Sequence, residues 1–198
     1  MSPLTGTARQ EDHTLERVAI PFLTAIQRKN RIMTEDNSHP IRLLLVDDEE
    51  DLVTFMAHRL GKRGLEVTTA FAGEEALDAA EEKIFDVAVV DLKMPDMDGI
   101  TVIEELKRMQ PFVEVLMLTG HGSHDSAWEA GRLHAFRYIM KPCDFDELLD
   151  LVQTAAANRR QQMKEEFEAK LNELNARMIS PRELIEECNR LRREYEQD

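Results

Sequence analysis

Five short apolar runs, separated by segments with helical periodicity, recur between residues 41 and 157, and this alternation constrains the fold more than any other feature. The first run covers residues 41–46 and the third covers residues 85–90. Both are apolar over most of their length, as expected of strands that are buried on both faces. Such strands, joined through helices, indicate an α/β fold with a doubly wound, five-stranded parallel sheet.

The segments between the runs place apolar residues three and four positions apart, which predicts helices. In the first helix, Leu52, Phe55, Met56 and Leu60 are predicted to share the inward face. The predicted strands cover residues 41–46, 65–70, 85–90, 113–118 and 135–140, and the predicted helices cover residues 52–60, 73–83, 100–106 and 125–133, before a last helix that begins near Asp144.

The net charge of −14 is concentrated in the segment that contains these runs. Residues 41–156 contain 24 acidic and 11 basic side chains. Residues 1–40 contain five of each kind, and residues 157–198 contain ten acidic and nine basic side chains. Neither flank is basic enough to attract the phosphates of DNA or RNA, so we expect no nucleic-acid partner.

The distribution of apolar residues and cysteines predicts the cellular setting. No apolar run approaches the roughly 20 residues that span a bilayer. Charged residues interrupt the apolar ones near the N-terminus, unlike in a signal peptide. Cys143 and Cys188 lie far apart and form no C-x-x-C pair. A reduced, intracellular setting is the default for such cysteine usage, and we expect a cytoplasmic protein with no membrane partner.

Polar side chains with complementary chemistry follow the predicted strands. Asp47 and Asp48 follow the first strand, Asp91 the third, Thr119 the fourth and Lys141 the fifth. The carboxyl ends of parallel strands meet at one edge of the sheet, so three carboxylates would converge there and repel each other. Mg²⁺ prefers such oxygen ligands. One carboxylate can then act as a nucleophile toward a phosphoryl group, whose charge the lysine and the threonine hydroxyl would stabilise.

The segments around these residues closely resemble the receiver domains of two-component response regulators, especially those of the nitrogen-regulator type. The similar segments are Leu-Leu-Val-Asp47-Asp48-Glu, Val-Val-Asp91-Leu-Lys-Met-Pro95-Asp-Met-Asp-Gly99, Leu-Thr119-Gly-His-Gly and Tyr138-Ile-Met-Lys141-Pro142. The resemblance implies a flavodoxin-like sheet with strand order 2-1-3-4-5. It also implies that a histidine kinase phosphorylates the domain.

The resemblance further implies a role for each residue of the site. Asp91 is expected to be the phospho-acceptor, and Lys141 is expected to pair with the phosphate. Asp48, Asp91 and the backbone carbonyl of Lys93 are expected to bind Mg²⁺, with Asp47 acting through water.

The resemblance also implies a conformational switch beside the acceptor. Thr119 is expected to move toward the phosphate while Tyr138 rotates inward, and the Lys141–Pro142 peptide bond is expected to be cis. His134 departs from the family pattern, in which a glycine usually precedes the last strand.

Several residues near the predicted site have two interpretations. Alone, Asp48 is an ordinary helix N-cap and Tyr138 a half-buried strand aromatic, although the joint pattern favours their functional roles. His121 either tunes the lifetime of the phosphate or is a solvated loop residue. An inert thiol is the preferred interpretation of Cys143. Trp128 is either a binding anchor or a buried packing residue.

The flanks of the predicted receiver, residues 1–40 and 158–198, are of different kinds. We expect residues 1–40 to be disordered, or translation to start at Met33, which leaves open whether residues 1–32 are translated. After the receiver, residues 41–157, the helical pattern continues into residues 158–198. The spacing there predicts a short coiled-coil seam through Phe167, Leu171, Leu174 and Met178, followed by a helix restart after Ser180-Pro181.

These observations favour a response regulator that is no enzyme beyond its own phosphotransfer and slow self-dephosphorylation. No helix-turn-helix, ATPase or cyclase segment fits in residues 158–198. We therefore expect output through contact with an unknown effector protein or through a homodimer formed by residues 158–198. Two alternatives remain: a phosphorelay intermediate that passes its phosphate to a histidine phosphotransfer protein, and a structural coiled-coil adaptor.

Overall fold

The computed structural model describes residues 39–120, 137–176, 183, 186–187 and 189–191. The chain divides into two compact units, and the unit that carries the sheet contains Pro40–Ala169. Its strands are β1 (Arg42–Val46), β2 (Glu66–Ala70), β3 (Val87–Asp91), β4 (Glu114–Thr119) and β5 (Arg137–Met140), and the described helices are α1 (Glu50–Lys62), α2 (Gly73–Glu82), α3 (Gly99–Met109) and α4 (Phe145–Ala176).

The five strands form one parallel sheet in the order β2-β1-β3-β4-β5. This order confirms the predicted doubly wound, flavodoxin-like architecture. The register places Val46 opposite both Ala70 and Val90, Asp91 opposite Leu118, and Thr119 opposite Met140. The residues that end β1, β3, β4 and β5 therefore lie along one edge of the sheet, as the sequence predicts.

A hydrophobic core lies on each face of the sheet, because successive strand residues point to opposite faces. Leu43 and Leu45 belong to the core that includes residues of α1 and α4. Leu44 and Val46 belong to the core that includes residues of α2 and α3. Burial of both faces explains why the strands are apolar throughout rather than alternating.

The inward face of α1 differs from the prediction at one position. Val53, Met56 and Leu60 are buried, whereas Phe55 is 56% exposed. The buried face is centred on the row from Val53 to Leu60, and Phe55 lies outside that row. The Arg59 guanidinium lies 5.5 Å from the centre of the Phe55 ring, so this aromatic side chain packs against a cation instead of the core.

Helix α4 continues without interruption from Phe145 to Ala176, as the sequence predicts for a helix that runs past the end of the receiver. The carboxylate of Asp144 caps its start by accepting hydrogen bonds from the amides of Asp146 (2.9 Å) and Glu147 (3.1 Å). Farther along, Phe167, Leu171 and Leu174 are buried at the spacing predicted for the seam.

Polar side chains attach the middle of α4 to the edge of the sheet opposite the site. Arg159 Nη1 lies 3.1 Å from Asp86 Oδ1, and only 5% of Arg159 is exposed. Asn158 and Gln162 both donate to Oε1 of the buried Glu114, over 2.5 Å and 2.9 Å. The turns of α4 after residue 157 are therefore bonded to the start of β4 and to the residue before β3.

Several predicted features lie outside the described residues. These are the expected disorder or late start of the N-terminal flank, for residues 1–38, the fourth helix, at residues 125–133, the interpretations of His121, Trp128 and His134, the seam residue Met178, and most of the restart after Ser180. The described part of the fifth strand begins at Arg137. Among the described helices, none combines the length and the apolar character needed to cross a bilayer.

Candidate functional site

An acidic cluster lies where β1 and β3 end side by side in the sheet. Asp47 follows β1 directly and is 1% exposed, and Asp91 is the last residue of β3 and is 5% exposed. Asp48 belongs to the same cluster but is exposed. One oxygen of each of the three carboxylates lies within 4.8 Å of the others. The structure therefore brings together the three aspartates that the sequence predicts to meet.

Lys141, the residue that follows β5, supplies a positive charge to this cluster, and β5 lies two strands away from β3 in the sheet. Its Nζ lies 2.6 Å from Asp47 Oδ2, 2.8 Å from Asp91 Oδ2 and 3.2 Å from Glu49 Oε1. The Lys141 amide also donates to the carbonyl of Thr119 over 2.8 Å, which fixes the backbone at the start of this side chain. The following Lys141–Pro142 bond is cis, as the family resemblance implies.

The surroundings shift the pKa values of Lys141 and Asp47. Burial alone would lower the pKa of Lys141, but its hydrogen bonds to Asp47 and Asp91 outweigh that effect and hold the pKa above its ordinary value. Burial raises the pKa of Asp47, and the hydrogen bond from Lys141 offsets only part of that effect. The hydrogen bond between Lys141 and Asp47 therefore favours the charged form of both groups and opposes the effect of burial.

The backbone around Asp91 is tightly constrained. The amide of Lys93 donates to Asp91 Oδ1 over 3.3 Å, and the amide of Gly99 donates to the carbonyl of Leu92 over 3.2 Å. A Cβ atom at Gly99 would lie 2.1 Å from the carbonyl oxygen of Asp91. Only glycine fits there, so Gly99 fixes the backbone beside the acceptor. The sequence predicts no role for Gly99, and the one available signal is its place at the end of the Pro-Asp-Met-Asp-Gly segment.

Thr119 and Tyr138, the predicted switch residues, lie on neighbouring strands. Thr119 ends β4 and is 2% exposed, so it lies at the same edge as the acidic cluster. Tyr138 is half-buried on β5 and packs against the core that includes residues of α2 and α3. Both residues lie where the predicted switch requires them, Thr119 on the strand next to the acceptor strand and Tyr138 on the strand at the edge of the sheet, and their switching role stays a prediction.

The donor set fits Mg²⁺. Asp47, Asp48 and Asp91 offer hard carboxylate oxygens, and Lys93 belongs to the loop that leaves Asp91. Lys141 contributes one positive charge, whereas these aspartates and Glu49 contribute four negative ones. A divalent cation would balance most of the excess negative charge.

Cys143 lies just after this site and is half-buried. Burial raises the pKa of its thiol, which disfavours the reactive thiolate at neutral pH. This direction supports the interpretation of Cys143 as an inert thiol.

Comparison with known proteins agrees with the fold and with the position of the acidic cluster. The family model described as "Response regulator receiver domain" matches residues 43–153. The transcriptional regulatory protein ZraR of Salmonella typhimurium is 36% identical over 121 residues, which are 61% of this chain and 27% of that protein. The DNA-binding transcriptional regulator NtrC of Klebsiella pneumoniae is 35% identical over 120 residues, which are 61% of this chain and 26% of that protein.

Solved structures show the same relationship. A receiver domain protein from Methanospirillum hungatei aligns with a TM-score of 0.60 and 28% identity, over 62% of this chain and 98% of that one. The chain thus spans about a quarter of the length of the two curated relatives and matches nearly the whole of the solved receiver.

Proposed function

This chain belongs to the response regulator receiver domain family, and from that premise we propose that Asp91 accepts a phosphoryl group from a histidine kinase. The observation that carries the proposal is the position of Lys141 Nζ, within 2.8 Å of an oxygen of both Asp91 and Asp47. A buried carboxylate at a strand end, paired with a fixed lysine and flanked by two more carboxylates, is suited to taking up a phosphoryl group.

The proposed transfer occurs in one displacement. A carboxylate oxygen of Asp91 attacks the phosphorus of the phosphohistidine, the P–N bond breaks, and the histidine nitrogen leaves with the electron pair and takes up a proton. Lys141, held protonated, stabilises charge on the transferring oxygens, and the Thr119 hydroxyl donates to one of them. Mg²⁺ held by Asp47, Asp48, Asp91 and the Lys93 carbonyl would supply further neutralisation of this charge.

Loss of the phosphate restores the starting state. Water attacks the phosphorus, the P–O bond to Asp91 breaks, and inorganic phosphate leaves while the carboxylate and its contact with Lys141 form again. The protein acts on no other substrate in this scheme, so its only catalysis is its own phosphotransfer and slow self-dephosphorylation. Movement of Thr119 and Tyr138 between the phosphorylated and the unphosphorylated state would change the surface that a partner protein contacts.

The proposed output is contact with a partner protein rather than direct binding of DNA. ZraR and NtrC are transcriptional regulators by name, but the similarity to each covers only about a quarter of that protein. Residues 41–156 carry a net charge of −13, and residues 157–198 are close to neutral. A strongly acidic surface repels the phosphate backbone, on which most non-specific DNA affinity depends.

The experiment that tests this proposal measures the intact mass of the full chain after incubation with MgCl2 and acetyl phosphate. We expect one phosphoryl adduct on the wild type and on Asp78→Asn, a control at an exposed aspartate of α2. Asp91→Asn should give no adduct. An equal adduct on Asp91→Asn would refute the assignment of the acceptor.

The same samples test the output. Size-exclusion chromatography with light scattering should show a change of oligomeric state on phosphorylation if residues 158–198 form the homodimer. An adduct without that change favours an unidentified partner, and rapid loss of the phosphate to a histidine phosphotransfer protein favours the relay. Binding of the phosphorylated protein to mixed-sequence DNA at physiological salt would contradict output through protein contact.

A further inference from the structure

The start of α2 is capped by a residue from another part of the chain. Ala72 occupies the N-cap position and has no side-chain oxygen that could accept a hydrogen bond from the first turn. Instead, the carboxylate of Asp96 accepts a hydrogen bond from the amide of Gly73 over 2.8 Å. Asp96 lies in the segment between β3 and α3, residues 92–98, which we term the acceptor loop because it follows Asp91 directly.

The same point of contact is closely packed. Gly73 is buried, and a Cβ atom placed on it would lie 2.8 Å from Cβ of Met97 and 2.9 Å from Cγ2 of Val102. The acceptor loop therefore approaches the start of α2 so closely that a side chain at Gly73 would force it outward. A hydrogen bond and a packing contact, on neighbouring residues Asp96 and Met97, join the loop to the helix.

The two ends of the acceptor loop are fastened to Asp91 itself. At its start, the Lys93 amide donates to Asp91 Oδ1, and at its end Gly99 packs against the Asp91 carbonyl. Asp96 lies between these two anchors in the sequence. A displacement in the middle of so short a loop would be transmitted to Lys93 and from there to the acceptor carboxylate.

We propose that Asp96 is a positioning residue for the phosphorylation of Asp91. By binding the first amide of α2, it holds the acceptor loop in the arrangement in which Lys93 lies against the Asp91 carboxylate. This inference rests on the proposed function, since it assigns Asp96 a part in the same reaction. In this proposal the acceptor loop is held in place by the start of α2, which lies outside the acidic cluster.

The charge of Asp96 suits this task. Desolvation opposes ionisation, but hydrogen bonds from several backbone amides, that of Gly73 foremost, together outweigh it and lower the pKa of this carboxyl group below its ordinary value. A carboxylate at the first turn of a helix also interacts favourably with the helix dipole. Asp96 therefore remains an ionised acceptor at neutral pH.

A purely structural role for Asp96, as a helix cap only, makes a different prediction, and the chain offers a matched control. The carboxylate of Glu75 accepts a hydrogen bond from the amide of Phe71 over 2.8 Å, at the start of the same helix. That bond involves no residue of the acceptor loop. Glu75→Ala should therefore weaken the start of α2 without affecting the acceptor, whereas Asp96→Ala should affect both.

The test compares the full-length wild type with Asp96→Ala, Asp96→Asn and Glu75→Ala. Three quantities are measured for each: the melting temperature, the Mg²⁺ affinity by calorimetry, and the rate of adduct formation with acetyl phosphate at saturating MgCl2. We expect Asp96→Ala to slow phosphorylation about tenfold, because small misplacements of reacting groups are costly. It should also bind Mg²⁺ several-fold more weakly, since Lys93 is no longer fixed.

The other two variants separate positioning from capping. Asp96→Asn should react within about twofold of the wild type, because its side-chain oxygen can accept the same bond. Glu75→Ala should lower the melting temperature but leave the rate and the Mg²⁺ affinity unchanged. If Asp96→Ala behaves like Glu75→Ala, with only a lower melting temperature, the positioning role is refuted.

Failure of the proposed function would give a different result. A wild type that forms no adduct would overturn phosphorylation of Asp91 by acetyl phosphate and leave the Mg²⁺ titration to decide the role of Asp96. Equal Mg²⁺ affinity in the wild type and in Asp96→Ala would then overturn the positioning role as well.

Discussion

At the scale of single residues, the site depends on one lysine that contacts several carboxylates. Lys141 follows β5, yet its Nζ reaches Asp47, which follows β1, and Asp91, which ends β3, and neither of these strands is a neighbour of β5. When a phosphoryl group occupies one oxygen of Asp91, Lys141 can transfer a hydrogen bond to a phosphoryl oxygen. The lysine therefore links the acceptor Asp91 with the edge strand β5.

Gly99 offers a direct test of how tightly the acceptor is held. Gly99→Ala would place Cβ 2.1 Å from the Asp91 carbonyl oxygen, so the backbone of the acceptor must move. We expect a loss of about 2–3 kcal/mol in the free energy of unfolding, typical of overpacking, together with slower phosphorylation. Urea denaturation and the acetyl phosphate assay measure the two effects.

The matched control is Gly61→Ala, near the end of α1. No atom lies within 4 Å of a Cβ built at Gly61, so alanine should fit there. It should stabilise the protein by about 0.5–1 kcal/mol, because alanine has the higher helix propensity. Equal effects at Gly61 and Gly99 would contradict the close approach.

Cys143 yields a prediction about pH. Because burial raises the pKa of its thiol, the thiolate fraction at any given pH is smaller than for an ordinary cysteine. At about pH 8.5, where half of an ordinary thiol is ionised, iodoacetamide should modify Cys143 more slowly than it modifies the same residue in urea-unfolded protein. Peptide mass spectrometry separates Cys143 from Cys188. Equal rates in the folded and unfolded protein would show that the thiol is not protected.

At the scale of elements, the sequence indicates where strands end better than it indicates how distant polar groups pair. Asp47, Asp91 and Thr119 were placed at one edge because apolar runs stop at polar residues. The strand order came from the family resemblance, since apolar runs do not state which strands are neighbours. Phe55 was misassigned because spacing alone cannot separate the centre of a helix face from its border.

Long-range polar bonds outside the site were not predicted from the sequence. Gln110 is buried, accepts from the amide of Phe85 over 2.8 Å and donates to the carbonyls of Ala80 and Lys83. Nothing in its sequence neighbourhood distinguishes it from a solvated glutamine at a helix end. Bonds of this kind depend on how elements pack, which local patterns do not encode.

The attachment of α4 to the sheet supports a prediction at this scale. Arg159 is buried against Asp86, whose carboxylate also accepts from Arg42, so removal of Arg159 leaves Asp86 with one cation fewer. Arg159→Ala should lower the free energy of unfolding by about 2–3 kcal/mol, somewhat less than the loss of a fully isolated buried partner.

The adjacent arginine is the control for this prediction. Arg160 is exposed, and Arg160→Ala should change the free energy of unfolding by no more than about 0.5 kcal/mol. Urea denaturation followed by circular dichroism measures both variants. A similar small effect for Arg159→Ala would mean that α4 after residue 157 is not held by the sheet.

At the scale of the whole molecule, the charge distribution predicts how a divalent cation affects stability. The chain carries −14, and two of its buried carboxylates, those of Asp47 and Asp91, share Lys141. A cation that binds only the folded state stabilises it by mass action. We expect MgCl2 at about 100 times its dissociation constant to add about 2.7 kcal/mol to the free energy of unfolding.

Variants of the acidic cluster distinguish this effect from general screening of charge. Asp48→Asn removes one ligand and should abolish most of the stabilisation by Mg²⁺, whereas Asp78→Asn, the exposed control, should retain it. Asp91→Asn should be more stable than the wild type without Mg²⁺, because it removes a buried charge beside Asp47, and should gain little from the cation. NaCl at the same ionic strength is the reference for each variant. Equal stabilisation of the wild type and Asp48→Asn by MgCl2 would mean that Mg²⁺ acts on the acidic surface as a whole. The acidic cluster of Asp47, Asp48 and Asp91 would then lose its assignment as a metal site.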